Sequence, residues 1–479
     1  MLPGLLATAA PAPPPVNIVC ILADDLGYGE LGCYGQQHVP TPNIDRLARE
    51  GIRFTRFYAA SPVCAPTRCS LLTGKHQGHA AVRGNKERGA FDVRGLEGQF
   101  PLPRSERTIA GVLRRAGYAT ALVGKWGLGS PLPGQRPNDH GFDRFYGLLC
   151  QRRAHDHYPA YLWSDFDVDP LPGNVVRNAH QRLSSPLESE DEYYERYGGG
   201  TYAPEAMADQ AVRFVRENSR RPFFLYYAPT LPHVTLAAPR DWVDRFPREW
   251  DAGPYLGQGG YLPCARPRAT YAAMIAYLDH TVGRILDELD RLGLAQNTLV
   301  VFTSDNGATT EGGVDRDFFR SISPLREGKR SLYEGGIRVP FVARWPGRIP
   351  AGSVSDVPAA CYDLPATFAE VAGASFGRSD GVSLLPALSG GNLARRRPLY
   401  FEFGERGGMQ AVILDGKIKV IRPSLSTDPS RVEVYDVAED PSETRDLAAS
   451  KPEWVRRGLK AMETERRPNP DFPLPGVDR

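Results

Sequence analysis

The sequence predicts an α/β protein built around a mostly parallel sheet, and three observations carry that prediction. Short apolar runs alternate with helix-like segments through most of the 479 residues. Three of those runs, VNIVCILADD, ATALVGKW and LVVFTSDNG, end in charged or amide groups. From about residue 390 the texture changes to closely spaced strands followed by one helix.

Taken in order, VNIVCILADD reads as a buried strand and TPNIDRLAREG as a capped helix closed by Gly51. RTIAGVLRRAGYATALVGKW holds a helix, a stop at Gly117 and a second strand. RPFFLYYAP is another strand, with His233 just beyond it. ATYAAMIAYLDHTVGRILDELDRLG is a long amphipathic helix that leads through AQNT into LVVFTSDNG. DLPATFAEVAG is a later helix. RPLYFEF, MQAVILDGKIKVIR and VEVYDVAEDP make a small antiparallel sheet, followed by the helix KPEWVRRGLKAMETER. The segment from about 165 to 200, rich in Asp, Pro, Gly and Tyr, reads as a long surface insertion. These readings divide the chain into a leader over 1–15, a main domain over 16–389 and a small α+β subdomain over 390–479.

Composition excludes several classes. A net charge of +2, from 58 basic and 56 acidic residues, gives no field that favours nucleic acid. The 7 cysteines form no C-x-x-C pair and no zinc spacing. No apolar run approaches the ~20 residues of a membrane span. MLPGLLATAAPAPPP has small apolar residues but no basic start, so it reads as either a plain leader or a signal-peptide remnant, and the second reading predicts a periplasmic or secreted protein.

The chemistry centres on SPVCAPTRCSLLTG, residues 61–74. Two prolines stiffen the chain around Cys64, placing it on a rigid loop at the mouth of a helix, with Arg68 one turn on. The strand ends bring Asp24–Asp25, Lys125 and Asp305–Asn306 towards one edge, because ligands of open parallel sheets bind at the carboxyl ends of strands. Either acidic pair alone would read as a turn or a cap. Together they form an oxygen-only set suited to Ca²⁺ or Mg²⁺ and unsuited to zinc.

With these motifs the chain resembles the formylglycine-dependent (type I) sulfatases of the alkaline phosphatase superfamily, including bacterial arylsulfatases and carbohydrate sulfatases. CAPTRCSLLTG is similar to the family's modification signature, and ADDLGYGELGCYG, GKWGLG, SDNG, LREGKRSLYEGGIRVP and EVYDVAEDPSETRDLA follow in the family's order. The resemblance implies an alkaline-phosphatase-like fold. It implies that a formylglycine-generating enzyme oxidises Cys64 before folding, and that the hydrated aldehyde is the nucleophile. Asp24, Asp25, Asp305 and Asn306, with position 64, would hold Ca²⁺, or Mg²⁺ in its place. Arg68, Lys125 and Lys329 would surround the sulfate, Asp305 would accept a proton, and His233 would protonate the leaving alcohol.

One position departs from the pattern. Many members read GKWHLG, and Gly127 stands where their histidine assists the second step. The sequence offers His79, His140, His155 and His157 nearby, of which His155 is the expected substitute and His79 an expected substrate contact. Across the wider insertion from 150 to 200, Trp163, several tyrosines and Arg152–Arg153 suit stacking on sugars and pairing with their acidic groups. The expected substrate is a sulfated carbohydrate of galactose type. The alternatives are a phosphonate or phosphodiester hydrolase of the same superfamily, and a sulfated-glycan-binding protein without turnover.

Overall fold

The computed structural model describes residues 15–88 and 97–478, so the leader reading falls almost entirely outside the described residues. In chain order the main strands are β1 (Asn17–Ala23), β2 (Ile52–Tyr58), β3 (Ala119–Lys125), β4 (Arg144–Leu148), β5 (Tyr161–Ser164), β6 (Asp167–Pro170), β7 (Phe223–Ala228), β8 (Thr298–Ser304), β9 (Arg338–Arg344), β10 (Ser353–Ser355) and β11 (Ala359–Ala360). They lie side by side as β10-β2-β9-β8-β1-β7-β3-β4-β5-β6, with β11 against β2. The stretch β8-β1-β7-β3-β4 is parallel, and β9 runs antiparallel between β2 and β8.

The central strands are buried on both faces, which is why they read as unbroken apolar runs without alternation. Successive side chains of β1 enter opposite cores. Ile18, Cys20 and Leu22 join one, beneath Cys64–Thr73, Ile109–Arg115 and Leu364–Val371. Val19, Ile21 and Ala23 join the other, beneath Ala203–Glu217 and the long helix Pro267–Arg291. A separate antiparallel sheet follows: β12 (Leu399–Phe403), β13 (Met409–Leu414), β14 (Ile418–Arg422) and β15 (Glu433–Asp436). The helix Pro452–Thr464 lies on it so closely that a Cβ on Gly458 would stand 2.5 Å from Val420 Cβ.

The insertion is more structured than its composition predicts. β5 and β6 form a hairpin that extends the main sheet, and Glu190–Tyr197 is a helix whose first turn is capped by Ser189. Trp163 is not a sugar platform. It is buried in β5 and donates from Nε1 to Glu97 Oε1 at 2.9 Å, because the pleat turns it inward. Arg153 is buried over the Tyr161 ring, and Arg152 pairs with Glu87 at 2.7 Å.

Buried His140, packed 5.4 Å from the Trp126 ring, makes the fold acid-sensitive. Burial lowers its pKa from 6.5 to about 4. The unfolded chain therefore takes up this proton first, and the stability present above pH 6.5 is lost as pH falls towards 4. The loss is about 3 kcal/mol. His140→Phe is expected to flatten this part of the Tm-versus-pH curve, measured by calorimetry between pH 7 and 4.

Candidate active site

Strand pairing assembles the site. Ala23 of β1 lies opposite Ser304 of β8, so the residues that follow each strand emerge together. The Asp25 N–H donates to Asp305 Oδ1 at 3.0 Å, and Asn306 Nδ2 donates to Asp25 Oδ1 at 2.7 Å, across 281 residues of sequence. Asp25 has φ 66, a left-handed conformation that few residues other than glycine, asparagine and aspartate accept readily. Lys125 ends β3 two strands away.

Cys64 enters from the opposite element. It is not on a loop: the helix Cys64–Thr73 begins at Cys64 itself. Pro66 is tolerated at the third position because N–H groups in a helix's first turn have no intrahelical partner to lose. Cys64 is 1% exposed, and its Sγ lies 4.0 Å from Asp25 Oδ1. Burial pushes the Cys64 thiol far above its ordinary pKa.

Three buried cations face three buried carboxylates. Arg68 reaches Asp305 Oδ2 from Nε at 3.1 Å and from Nη2 at 2.7 Å, and donates from Nη1 to the Lys125 carbonyl at 2.8 Å. Lys125 Nζ meets Asp24 Oδ2 at 2.6 Å, and Lys329 Nζ meets Asp25 Oδ2 at 2.6 Å. Burial opposes the charged form of both lysines, but Asp24 and Asp25 outweigh it and hold them protonated. Burial likewise opposes the Asp24 charge, and Lys125, His233 and Arg68 overcome it. Burial and the neighbouring Asp24 push Asp305 up.

His233 sits in the loop after β7 with Nε2 3.5 Å from Asp25 Oδ2 and 3.3 Å from Lys329 Nζ. Burial, then Lys329, holds its pKa well below the usual histidine range. His155 stacks on His233 at 5.0 Å with the rings within 7° of parallel, and its Nδ1 is 3.0 Å from His180 Nε2. The side chain beside Gly127 is a different one. A Cβ on Gly127 would stand 2.5 Å from Gln151 Nε2, a residue with no motif to mark it in the sequence.

His79 is not brought to this cluster. Its Nδ1 meets Asp380 at 2.9 Å and its ring stacks on His76 at 4.5 Å. That group is no metal centre either. His76 Nδ1 accepts from the Gly78 N–H, so Nε2 carries the proton and faces Glu465 at 3.3 Å.

The Cys64 cluster fits a cation. Asp24 Oδ1 and Asn306 Oδ1 are buried without a hydrogen-bond partner among the described residues. Ligand atoms of Asp24, Asp25, Cys64 and His233 lie within 4.8 Å of one another. The carboxylate and amide oxygens among these atoms, rather than the Cys64 sulfur or the His233 nitrogen, suit a divalent alkaline-earth ion.

Residues 16–374 match the Sulfatase family model, and residues 327–465 match that of the C-terminal region of N-sulphoglucosamine sulphohydrolase. The chain belongs to the sulfatase family. This sulfatase is 34% identical over 420 residues to N-acetylgalactosamine-6-sulfatase of Canis lupus familiaris, covering 84% of this chain and 71% of the relative. It is 35% identical over 422 residues to arylsulfatase A of Homo sapiens, covering 84% and 73%. The crystal structure of Ps i-CgsB in complex with k-i-k-neocarrahexaose superposes with a TM-score of 0.75 at 26% identity, covering 96% of this chain and 95% of that one. The sulfatase is a sulfuric ester hydrolase of the alkaline-phosphatase-like superfamily, and no helix among its described residues is long and apolar enough to cross a membrane.

Proposed function

We propose that this sulfatase removes sulfate from a galactose-type carbohydrate, with a formylglycine derived from Cys64 and with Ca²⁺. The observation that carries the reading is the buried Cys64 at a helix start, 4.0 Å from Asp25 and enclosed by the pairs Arg68–Asp305, Lys125–Asp24 and Lys329–Asp25. The hydrated aldehyde supplies an oxygen nucleophile that a buried thiol does not. Ca²⁺, or Mg²⁺ in its place, would be held by Asp24, Asp25, Asp305, Asn306 and position 64, and would lower the pKa of a bound hydroxyl and polarise the ester.

The chain's own groups divide the remaining work. Arg68, Lys125 and Lys329 are fixed donors for sulfate oxygens, and they stabilise charge that spreads over those oxygens during transfer. Asp305, raised by burial and by Asp24, is placed to accept a proton. His233 gives a proton to the departing sugar oxygen. The negative charge of a bound sulfate offsets the burial and the Lys329 field that keep His233 neutral in the free protein. His155, stacked on His233, fixes the plane of its ring.

The rim suits a sugar. His180 is exposed and packs 4.7 Å from the Tyr261 ring, whose hydroxyl lies 3.4 Å from Glu311, itself paired to Arg330 at 2.9 Å. An aromatic wall beside polar groups is the usual composition of a saccharide site. The similarity to N-acetylgalactosamine-6-sulfatases supports the galactose type. Maturation by a formylglycine-generating enzyme and a periplasmic or secreted location complete the reading.

The test is release of inorganic sulfate from a panel of sulfated monosaccharides and polysaccharides, with an aryl phosphodiester alongside. Turnover of sulfated galactosides is expected. Preference for the phosphodiester would replace this reading with that of the phosphodiester hydrolase. His233→Ala is expected to lower kcat on sugar sulfates by ~10²–10⁴-fold and to cost far less on an aryl sulfate, whose leaving group needs no proton.

A further inference from the structure

Gln151 is 6% exposed, yet neither Nε2 nor Oε1 of its side chain has a hydrogen-bond partner among the described residues. Burying a carboxamide unpaired costs stability, and such groups are few in folded proteins. Its position follows from the sheet. Lys125 of β3 pairs with Leu148 of β4, and the N–H groups of Trp126 and Gly127 donate to the carbonyls of Leu148 and Leu149 at 2.9 and 3.0 Å. Gln151 comes two residues later, its own N–H donating to Gln99 Oε1 at 3.3 Å.

Gly127 makes the room. A Cβ there would meet Gln151 Nε2 at 2.5 Å and Arg68 Cδ at 3.5 Å, and the backbone φ of 70 also favours glycine. Arg68 and Cys64 are four residues apart on one helix and share a face. The carboxamide therefore stands near the Arg68 side chain, on the helix face that Arg68 shares with position 64.

The geometry points to Gln151 as a positioning residue for the nucleophile, its carboxamide hydrogen-bonding an oxygen carried at position 64. The inference rests on the formylglycine reading above. A cysteine sulfur is a weak partner for an amide, whereas a hydroxyl oxygen is a strong one. A carboxamide neither takes nor gives a proton near neutrality, so Gln151 holds the hydrate and orients it.

The test compares fully converted wild type with Gln151→Met, which keeps the length and removes both polar atoms. The Tm is expected to stay level or rise by up to about 3 °C, because an unpaired buried amide is gone. The kcat is expected to fall ~10²-fold with KM within about twofold. A hydroxylamine probe is expected to label the position-64 aldehyde faster in the variant, since the hydrate is held less well. A kcat within about threefold of wild type, equal labelling rates, or a Tm lowered by more than about 5 °C would each overturn the assignment. A converted wild-type chain that releases no sulfate from any ester overturns the parent reading, and this one with it.

Discussion

Cys64→Ala is expected to abolish sulfate release, by ~10⁴-fold or more, while leaving the fold intact. The side chain is 1% exposed, and the change removes a single sulfur atom, costing about 1 kcal/mol of stability. Sulfate release by ion chromatography and Tm by calorimetry separate the two effects. Cys64→Ser is expected to be equally inactive. Its lone hydroxyl lacks the second oxygen of a hydrated aldehyde. The wild-type chain made without the maturing enzyme is expected to behave like these variants, because a thiol carries neither oxygen of the hydrated aldehyde. Intact mass at position 64, read beside turnover, checks this. Full activity in a chain carrying only the thiol would refute the proposed nucleophile.

Asp25→Asn is expected to have the next largest effect. The φ of 66 makes asparagine the replacement that preserves the backbone, so the variant isolates the charge. Alanine would add a conformational penalty of its own. Asp25 holds Lys329 at 2.6 Å, accepts from Asn306 at 2.7 Å and faces His233 at 3.5 Å. Loss of its charge weakens the proposed metal set and leaves Lys329 with Glu311, 3.7 Å away, as its remaining carboxylate partner among the described residues. Turnover is expected to fall ~10³-fold. Bound divalent metal, measured by elemental analysis after dialysis, is expected to drop below one ion per chain. Retention of metal with normal turnover would remove Asp25 from the metal set.

Much of the site was readable because its signals are local. An apolar run that ends in Asp24–Asp25, Lys125 or Asp305–Asn306 marks both a buried strand and the end of it where groups converge. The helices Pro42–Arg49 and Pro267–Arg291 declared themselves by period and by their breakers. Other residues misled for the same reason, that local sequence carries no information about distant partners. His79 lies near the Cys64 motif in the chain, but Asp380 and His76 hold it elsewhere. Trp163 has the composition of a sugar platform, but the pleat of β5 turns it towards Glu97.

Residue types and their order were enough to predict an α/β sulfatase and to single out Cys64 and the acidic pairs as candidates, since strand ends and a dense motif are written in contiguous residues. Folding alone decided that Cys64 starts a helix, that His155 lies flat against His233, and that Gln151 occupies the space Gly127 leaves open. Each of these depends on which strands lie side by side and on how closely two backbones approach. Pairing of β3 with β4, and of β1 with β8, brings together atoms that no stretch of the chain encodes as neighbours.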